Sequence, residues 1–321
     1  MPLGPPVVQR WVSAAILSVV VAASLTACEV PKPVETNEYP SSGVLFFHRY
    51  TEYGAWDASL FELDLTSRRV SNISASWAQV TSPINAHPNA AGQEITFMAS
   101  TSGLPDYEWD VFVSRWDGTR WSEPVNLTGP NGKRDEDPKF GPDGHTIVFK
   151  EDGVLATIQD TGMRKQLLTV GEPESSMPYF TPDGAGIIFE RNGSILLLQD
   201  GKESIVWKAS GTRAYYPIGV DSRHFLFTEV QASHHDRTVW GSYSGAAPVP
   251  LFTSSNDCDN SDPYPYGDGS RFVFYVTTCP VVADRTTHTV HDLDLINSNT
   301  NSHDQELGPA WSGTAPFPRE G

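Results

Sequence analysis

The chain contains Asp137-Pro138-Lys139-Phe140-Gly141-Pro142-Asp143-Gly144-His145-Thr146-Ile147-Val148-Phe149. Forty residues later it contains a second copy, Met177-Pro178-Tyr179-Phe180-Thr181-Pro182-Asp183-Gly184-Ala185-Gly186-Ile187-Ile188-Phe189. In each copy an aromatic residue leads into Pro-Asp-Gly, a strong turn signal, and then into apolar residues that end on Phe. The pattern therefore predicts a repeated β-hairpin. Hairpins that recur about every 40 residues are typical of a β-propeller, whose sheets bury their faces only against their neighbours.

The same proline-led pattern opens six times along the chain. The six prolines are Pro83, Pro138, Pro178, Pro217, Pro263 and Pro309. The last copy stops after Ser312, while Gly43 to Phe47 reads as a second strand with no inner strand before it. We therefore predict an all-β, six-bladed β-propeller in which the C-terminal inner strand completes the first blade and Trp311 is buried. Such closure removes an exposed sheet edge.

This repeat resembles that of the TolB-type β-propellers, in which Pro-x-Trp/Phe-Ser-Pro-Asp-Gly precedes an apolar strand. The resemblance covers residues 43–312, and the segments that begin at Trp109 and Trp121 look like the outer strands of such a unit. The family shares no catalytic residues, so the resemblance implies no active site. In TolB itself it implies a protein-binding role in a complex of the cell envelope.

The N-terminal segment has the features of a bacterial lipoprotein signal. An apolar run follows Arg10, is short for a membrane-spanning helix, and ends in Leu25-Thr26-Ala27-Cys28, which is similar to a lipobox. We predict a signal peptide over 1–27, a lipidated Cys28 with a flexible tether over 28–42, the propeller over 43–312 and a tail over 313–321. An uncleaved anchor or a plain secretory signal are the alternatives. The predicted location is the extracytoplasmic side of the cell membrane, with the acyl chains in the lipid bilayer.

The charge of the chain argues against nucleic acid as a partner. The chain has 39 acidic and 22 basic residues and a net charge of −17. Because residues 1–27 contain one Arg and no acid, processing would make the chain more negative still. Nothing supplies the positive surface that phosphate binding requires. We expect an acidic monomer that binds a protein or a glycan of the envelope.

Two cysteines remain once Cys28 is acylated. Cys258 and Cys279 fall in loops that the blade pattern places on one face of the sixth blade. In an oxidising compartment such a pair is expected to form a disulfide. Two unpaired thiols are the alternative.

Long loops collect on one face of the predicted propeller, and in repeat proteins such a face is usually the binding side. Aromatic residues there would act as anchors among carboxylates, which suits a basic or polar partner. The other interpretation is that the aromatics pack under their own loops and the acids are merely solvated. The candidate binding residues are Tyr50, Trp56, Tyr107, Trp109, Asp135, Asp137, Glu174, Asp259 and Asp262.

The sequence predicts neither a bound metal nor another cofactor. Asp257 to Asp262 offers oxygen ligands that could hold Ca²⁺, but it lacks the glycine and the distal glutamate of an EF-hand loop. His234-His235-Asp236 has metal-binding residue types, yet neighbouring residues on a strand point to opposite sides and no third ligand is evident.

Two functions remain open from the sequence. The preferred hypothesis is a non-catalytic binding propeller, because no nucleophile elbow or phosphate loop occurs. The second hypothesis is a propeller enzyme, a polysaccharide lyase or hydrolase, acting at the channel mouth through His48, Arg49, His87 and His234. Convergence of three or more of these side chains on one cavity would favour the enzyme.

Overall fold

The protein is an all-β propeller. A computed structural model describes residues 40–52, 54–103, 108–208, 211–230, 236–251, 261–269, 271–276, 280–284, 289–292 and 305–314. These residues form six four-stranded antiparallel sheets. Within these ranges no helix is long and apolar enough to cross a membrane. Residues 1–39, including Cys28, lie outside the described residues.

Five of the sheets are built from consecutive strands. The second sheet contains β4 (Val80–Pro88), β5 (Glu94–Thr101), β6 (Asp110–Arg115) and β7 (Val125–Asn126). The third contains β8 (Asp135–Phe140), β9 (Thr146–Glu151), β10 (Val154–Gln159) and β11 (Gln166–Leu167). The fourth contains β12 (Ser176–Phe180), β13 (Gly186–Arg191), β14 (Ser194–Gln199) and β15 (Lys202–Trp207). The fifth contains β16 (Arg213–Gly219), β17 (His224–Val230), β18 (Asp236–Ser242) and β19 (Val249–Pro250), and the sixth contains β20 (Ser261–Pro265), β21 (Phe272–Val276), β22 (Pro280–Asp284) and β23 (Thr289–Asp292).

The first sheet combines strands from both ends of the sequence. It contains β1 (Val44–Tyr50), β2 (Ser59–Asp64), β3 (Arg69–Asn72) and the C-terminal strand β24 (Gln305–Ser312), in the order β24-β1-β2-β3. Strand β24 pairs antiparallel with β1, so that Trp311 lies opposite Leu45. A Cβ atom on Gly43 would lie 2.2 Å from the carbonyl oxygen of Ser312, so only glycine fits at this junction.

The prediction that Trp311 belongs to the buried core is wrong. Its side chain is partly exposed, packs against Tyr266 with ring centroids 4.6 Å apart, and donates from Nε1 to the carbonyl oxygen of Ser42 at 3.1 Å. Ala310 and Ser312, its neighbours on β24, are buried instead. Because side chains alternate along a strand, burying these two residues turns Trp311 to the other side.

A repeated phenylalanine forms the core between the sheets. In five of the six sheets it is the Phe that ends the hairpin pattern seen in the sequence. Its side chain has no exposed surface at Phe47, Phe97, Phe149, Phe189 and Phe227. Burial of a ring of this size contributes on the order of 2 kcal/mol relative to exposure.

Each inner strand carries a bulge at the same place, immediately before the repeat proline. The bulged residue has a positive φ in all six strands, with values from 48° to 63°. In the second sheet this residue is Asn85 and the proline position is occupied by Ala86, so Pro83 is not the equivalent of the other five prolines. A bulge bends its strand and redirects the side chains that follow it.

Candidate functional site

The inner strands present matching positions to the centre of the propeller. We call the bulged residues the bulge positions, the second residue after each bulge the middle position, and the third the mouth position. The bulge positions are Asn85, Asp137, Met177, Tyr216, Asp262 and Gly308. The middle positions are His87, Lys139, Tyr179, Ile218, Tyr264 and Ala310. The mouth positions are Pro88, Phe140, Phe180, Gly219, Pro265 and Trp311.

All six mouth positions line one cavity of about 300 Å³, which we call the mouth cavity. It opens on the side of the Pro-Asp-Gly turns, as shown by Pro142 and Pro182 in its wall. This is the side opposite the long loops. The long loops are the binding side predicted from the sequence, whereas this cavity, formed by described residues, lies beside the short turns.

Three polar side chains from different sheets meet at the base of the mouth cavity. Nε2 of His87 lies 3.2 Å from the hydroxyl oxygens of both Tyr179 and Tyr264. The Tyr179 hydroxyl donates to that of Tyr264 at 3.4 Å. These residues occupy middle positions of the second, fourth and sixth sheets, and they close the base of the cavity.

The backbone fixes the protonation of His87. Its Nδ1 accepts a 3.1 Å hydrogen bond from the N–H of Phe140, so the neutral ring carries its proton on Nε2. Burial, reinforced by the positive charge of Lys139, lowers the pKa of His87 well below its usual value of 6.5. His87 is therefore a neutral donor to the tyrosine hydroxyls at physiological pH.

Charged groups lie beyond this base, around a smaller cavity lined by Lys139, Tyr216 and Asp262. Burial raises the pKa of Asp262 to about 7. Burial also lowers the pKa of Lys139, and the negative charges of Asp137 and Asp262 partly offset this lowering. Asn85 Nδ2 donates to Asp137 Oδ1 at 3.1 Å. His87 and Tyr264 line both cavities and so separate a neutral mouth from a charged interior.

Side chains from the preceding sheet hold several of the bulges in place. The N–H of Asn85 donates to His48 Nδ1 at 3.3 Å, and the N–H of Asp262 donates to Thr228 Oγ1 at 3.1 Å. The N–H of Asp137 contacts Met98 Sδ at 3.3 Å. His48, Met98 and Thr228 all follow the core phenylalanine. This link between neighbouring sheets fixes where the middle and mouth side chains point.

The predicted aromatic residues that the structure describes form a small cluster at the long-loop side. The rings of Trp56 and Trp109 have centroids 4.4 Å apart. Trp109 and Tyr50 also pack against a buried group that includes Ile84. All three rings are partly exposed, so they form a modest aromatic surface that also covers the core. Tyr107 lies outside the described residues.

The predicted carboxylates of this side are engaged within the protein. Asp135 is fully buried and accepts from Asn131 Nδ2 at 2.9 Å, and Glu174 accepts from Lys150 Nζ at 2.8 Å. Asp137 and Asp262 occupy bulge positions rather than loops. Asp259, Cys258 and Cys279 lie outside the described residues, so the disulfide remains a prediction. The described ranges hold no group of three or more His, Cys, Asp or Glu arranged to bind a metal.

The residues of the enzyme hypothesis do not share a cavity where the structure describes them. His87 lines the mouth cavity. His48 is buried beneath the bulge of β4, and the guanidinium of Arg49 lies 4.6 Å from the centre of the Phe61 ring. His234 lies outside the described residues.

Comparison with known proteins supports the fold. No protein-family model and no curated protein matches the sequence. The structure is similar to TolB from Acinetobacter baumannii, with a TM-score of 0.65 and 13% identity over 85% of this chain and 67% of that chain. It is also similar to a putative TolB from Agrobacterium tumefaciens, with a TM-score of 0.57 and 15% identity over 79% and 89% of the two chains.

A third similar structure is hydrazine synthase from Kuenenia stuttgartiensis, with a TM-score of 0.63 and 12% identity over 86% of this chain. This chain spans about half of that protein, 48% of its length. Identities this low establish a shared fold and no shared activity. The chain is thus a β-propeller similar in fold to those of TolB proteins.

Proposed function

We propose that this protein is a lipid-anchored, extracytoplasmic binding protein whose propeller recognises a protein or glycan of the cell envelope without catalysis. In this proposal the six sheets are the blades of one ring, which β24 closes by pairing with β1. Cys28 carries the acyl anchor, and the acidic body remains a monomer at the membrane surface. The mouth cavity is the observation that carries the proposal.

The mouth cavity has the properties of a binding site. Ligand sites are concave, mostly apolar, and contain a few polar groups that orient the ligand. Here the partly exposed Phe180 and Trp311 supply apolar surface, while His87 and Tyr264 supply polar groups at the base. Side chains from neighbouring sheets fix the inner strands, so the cavity is formed before a ligand arrives.

The arrangement of the histidines supports binding rather than catalysis. A propeller enzyme needs its acid and base close to one reacting atom. His87 lines the mouth cavity, but its Nδ1 is occupied by the Phe140 N–H and its pKa is low, so it is a poor proton acceptor there. His48 and Arg49 point to other places in the fold.

Crosslinking of intact membranes followed by purification of the full chain tests the proposal. Val220 lines the mouth cavity, and Val220→Arg would place a long charged side chain across it. Leu167 lies on an outer strand with 56% of its surface exposed, so Leu167→Arg is the matched control. We expect a crosslinked envelope component with the wild type and with Leu167→Arg and its loss with Val220→Arg. Equal capture by all three would contradict the mouth cavity as the site.

A further inference from the structure

The chemistry of the mouth cavity narrows the class of ligand. None of the described residues that line it is Asp, Glu, Lys or Arg, although the chain as a whole has 61 such residues, 39 acidic and 22 basic. A charged ligand would lose its hydration there and meet no opposite charge, which is strongly unfavourable. The cavity therefore favours an uncharged ligand.

The base of the cavity requires a polar ligand. His87 Nε2 donates one hydrogen, which the hydroxyl oxygens of Tyr179 and Tyr264 share at 3.2 Å. Because the Tyr179 hydroxyl donates to Tyr264, the hydroxyl hydrogen of Tyr264 has no acceptor among the described residues. Tyr264 is buried, so an apolar group placed against it would leave this donor unsatisfied at a cost of about 1–3 kcal/mol.

Much of the cavity wall is apolar. Phe180 and Trp311 are partly exposed on the inner strands, and the exposed Pro142 and Pro182 come from the turns above them. The volume of about 300 Å³ is at the lower end of the range of ligand sites, so it suits one small ring rather than an extended chain. Aromatic and proline rings above a polar base match a ring whose faces carry C–H groups and whose edge carries hydroxyls.

We infer that the mouth cavity binds one uncharged sugar ring, such as a neutral hexopyranose at the end or branch of an envelope glycan. This inference rests on the proposed binding function and names its ligand class. The sugar's faces would pack on Phe180, Trp311 and the two turn prolines, and one of its oxygens would accept from the Tyr264 hydroxyl. A peptide side chain is the competing ligand, and the Tyr264 donor disfavours an apolar one.

Ligand-observed NMR titrations of the full chain test this assignment. The probes are methyl α-D-glucopyranoside, methyl α-D-mannopyranoside and methyl β-D-galactopyranoside, with methyl β-D-glucuronide as the charged comparison. N-acetyl-phenylalaninamide represents the peptide ligand. We expect at least one neutral glycoside to bind saturably and at least tenfold more tightly than the glucuronide, with little binding of the amide.

Variants identify the location of that binding. Tyr264→Phe removes one hydroxyl and keeps the ring, so we expect affinity to fall about threefold to tenfold. Trp56→Ala changes the long-loop side and should leave affinity unchanged. Val220→Arg blocks the rim and provides a second test should Tyr264→Phe alter folding, which thermal melting would detect.

Several results would overturn the inference. Binding of the amide in preference to every glycoside, equal binding of the glucuronide, or no binding of any neutral glycoside would each contradict a neutral sugar site. Loss of glycoside binding in Trp56→Ala would move the site to the long loops. If the membrane crosslink still depends on Val220 while the glycosides fail to bind, the sugar assignment is wrong and the proposed binding function stands.

Discussion

The backbone N–H of Phe140 donates to Nδ1 of His87, joining the inner strands of two neighbouring sheets through one 3.1 Å hydrogen bond. The bond directs the Nε2 hydrogen towards Tyr179 and Tyr264, so a backbone group of one sheet sets the donor pattern at the base of the mouth cavity. Stability and ligand recognition therefore depend on the same imidazole.

Replacing His87 by Leu should lower the free energy of unfolding. The Phe140 N–H would be left buried without its acceptor, which costs about 1–3 kcal/mol. His145 is the matched control, since its side chain is 67% exposed and contacts Asp160 at 2.8 Å, and an ion pair with a solvent-exposed partner contributes little. Urea denaturation should show a clear loss for His87→Leu and little change for His145→Leu. Equal effects would mean that the bond to Phe140 contributes nothing.

The pairing of β24 with β1 can be tested at Gly43. Both Gly43 and Gly54 have a positive φ, at 86° and 94°, but a Cβ on Gly43 would meet Ser312 while a Cβ on Gly54 would meet nothing within 4 Å. Gly54→Ala should cost about 1 kcal/mol of stability from backbone strain alone. Gly43→Ala should cost about 1–3 kcal/mol more, because the close approach of β24 adds overpacking. Identical losses would argue against this junction.

Repeat spacing predicts the β class and the hairpins because each hairpin is a local pattern within about 13 residues. The mouth cavity escaped prediction because its polar base joins residues far apart in sequence, with His87 and Tyr179 separated by 92 positions. The sequence does contain a signal for the middle positions. Lys139, Tyr179, Ile218, Tyr264 and Ala310 each follow a repeat proline, so aligning the repeats on that proline collects most of the middle positions.

Two other differences from the sequence prediction have local causes. Trp311 is an apolar residue in a strand, which favours burial, but the alternation of β24 turns it towards the mouth cavity. Pro83 is a plausible repeat proline by composition, yet the bulge lies at Asn85 and Ala86 takes the proline position. In both places the register of strand pairing determines which side chain is buried and which residue takes the proline position. This register is not visible in one sequence segment alone.

Asp135 should make stability depend on pH. Burial raises the pKa of its carboxyl from 3.8 to about 6, so the folded state holds the proton more tightly than the unfolded state. The free energy of unfolding should therefore fall as the pH rises from about 4 to about 6, and the full loss should persist at neutral pH. Asp135→Asn should be more stable than the wild type at pH 7, by about 1–2 kcal/mol, and similar to it at pH 4.

Asp183 provides the control of opposite sign for this titration. Hydrogen bonds from the Thr181 hydroxyl and the Ala185 N–H lower the pKa of Asp183 in the folded state. Asp183→Asn should therefore lose stability at pH 7 rather than gain it. Urea denaturation at pH 4 and pH 7 distinguishes the two variants, and a gain at pH 7 for both would show that the effect is not due to burial of Asp135.

The lipid anchor should depend on Cys28. Cys28→Ser removes the sulfur to which the acyl chain would attach, so metabolic labelling with palmitate should be lost and the protein should leave the detergent phase. Cys258→Ser is the control, because it changes a cysteine that the anchor does not use. Unchanged labelling of Cys28→Ser would contradict the lipoprotein assignment.

The side of the propeller that meets the partner can be measured by site-specific photo-crosslinking in intact cells. A photoreactive residue replaces Val220, which lines the mouth cavity, or Glu52, which is exposed beside the Trp56–Trp109 cluster at the long-loop side. We expect a crosslinked envelope protein or glycan from position 220 and none from position 52. A product from position 52 alone would contradict the mouth cavity as the binding site and return it to the long loops.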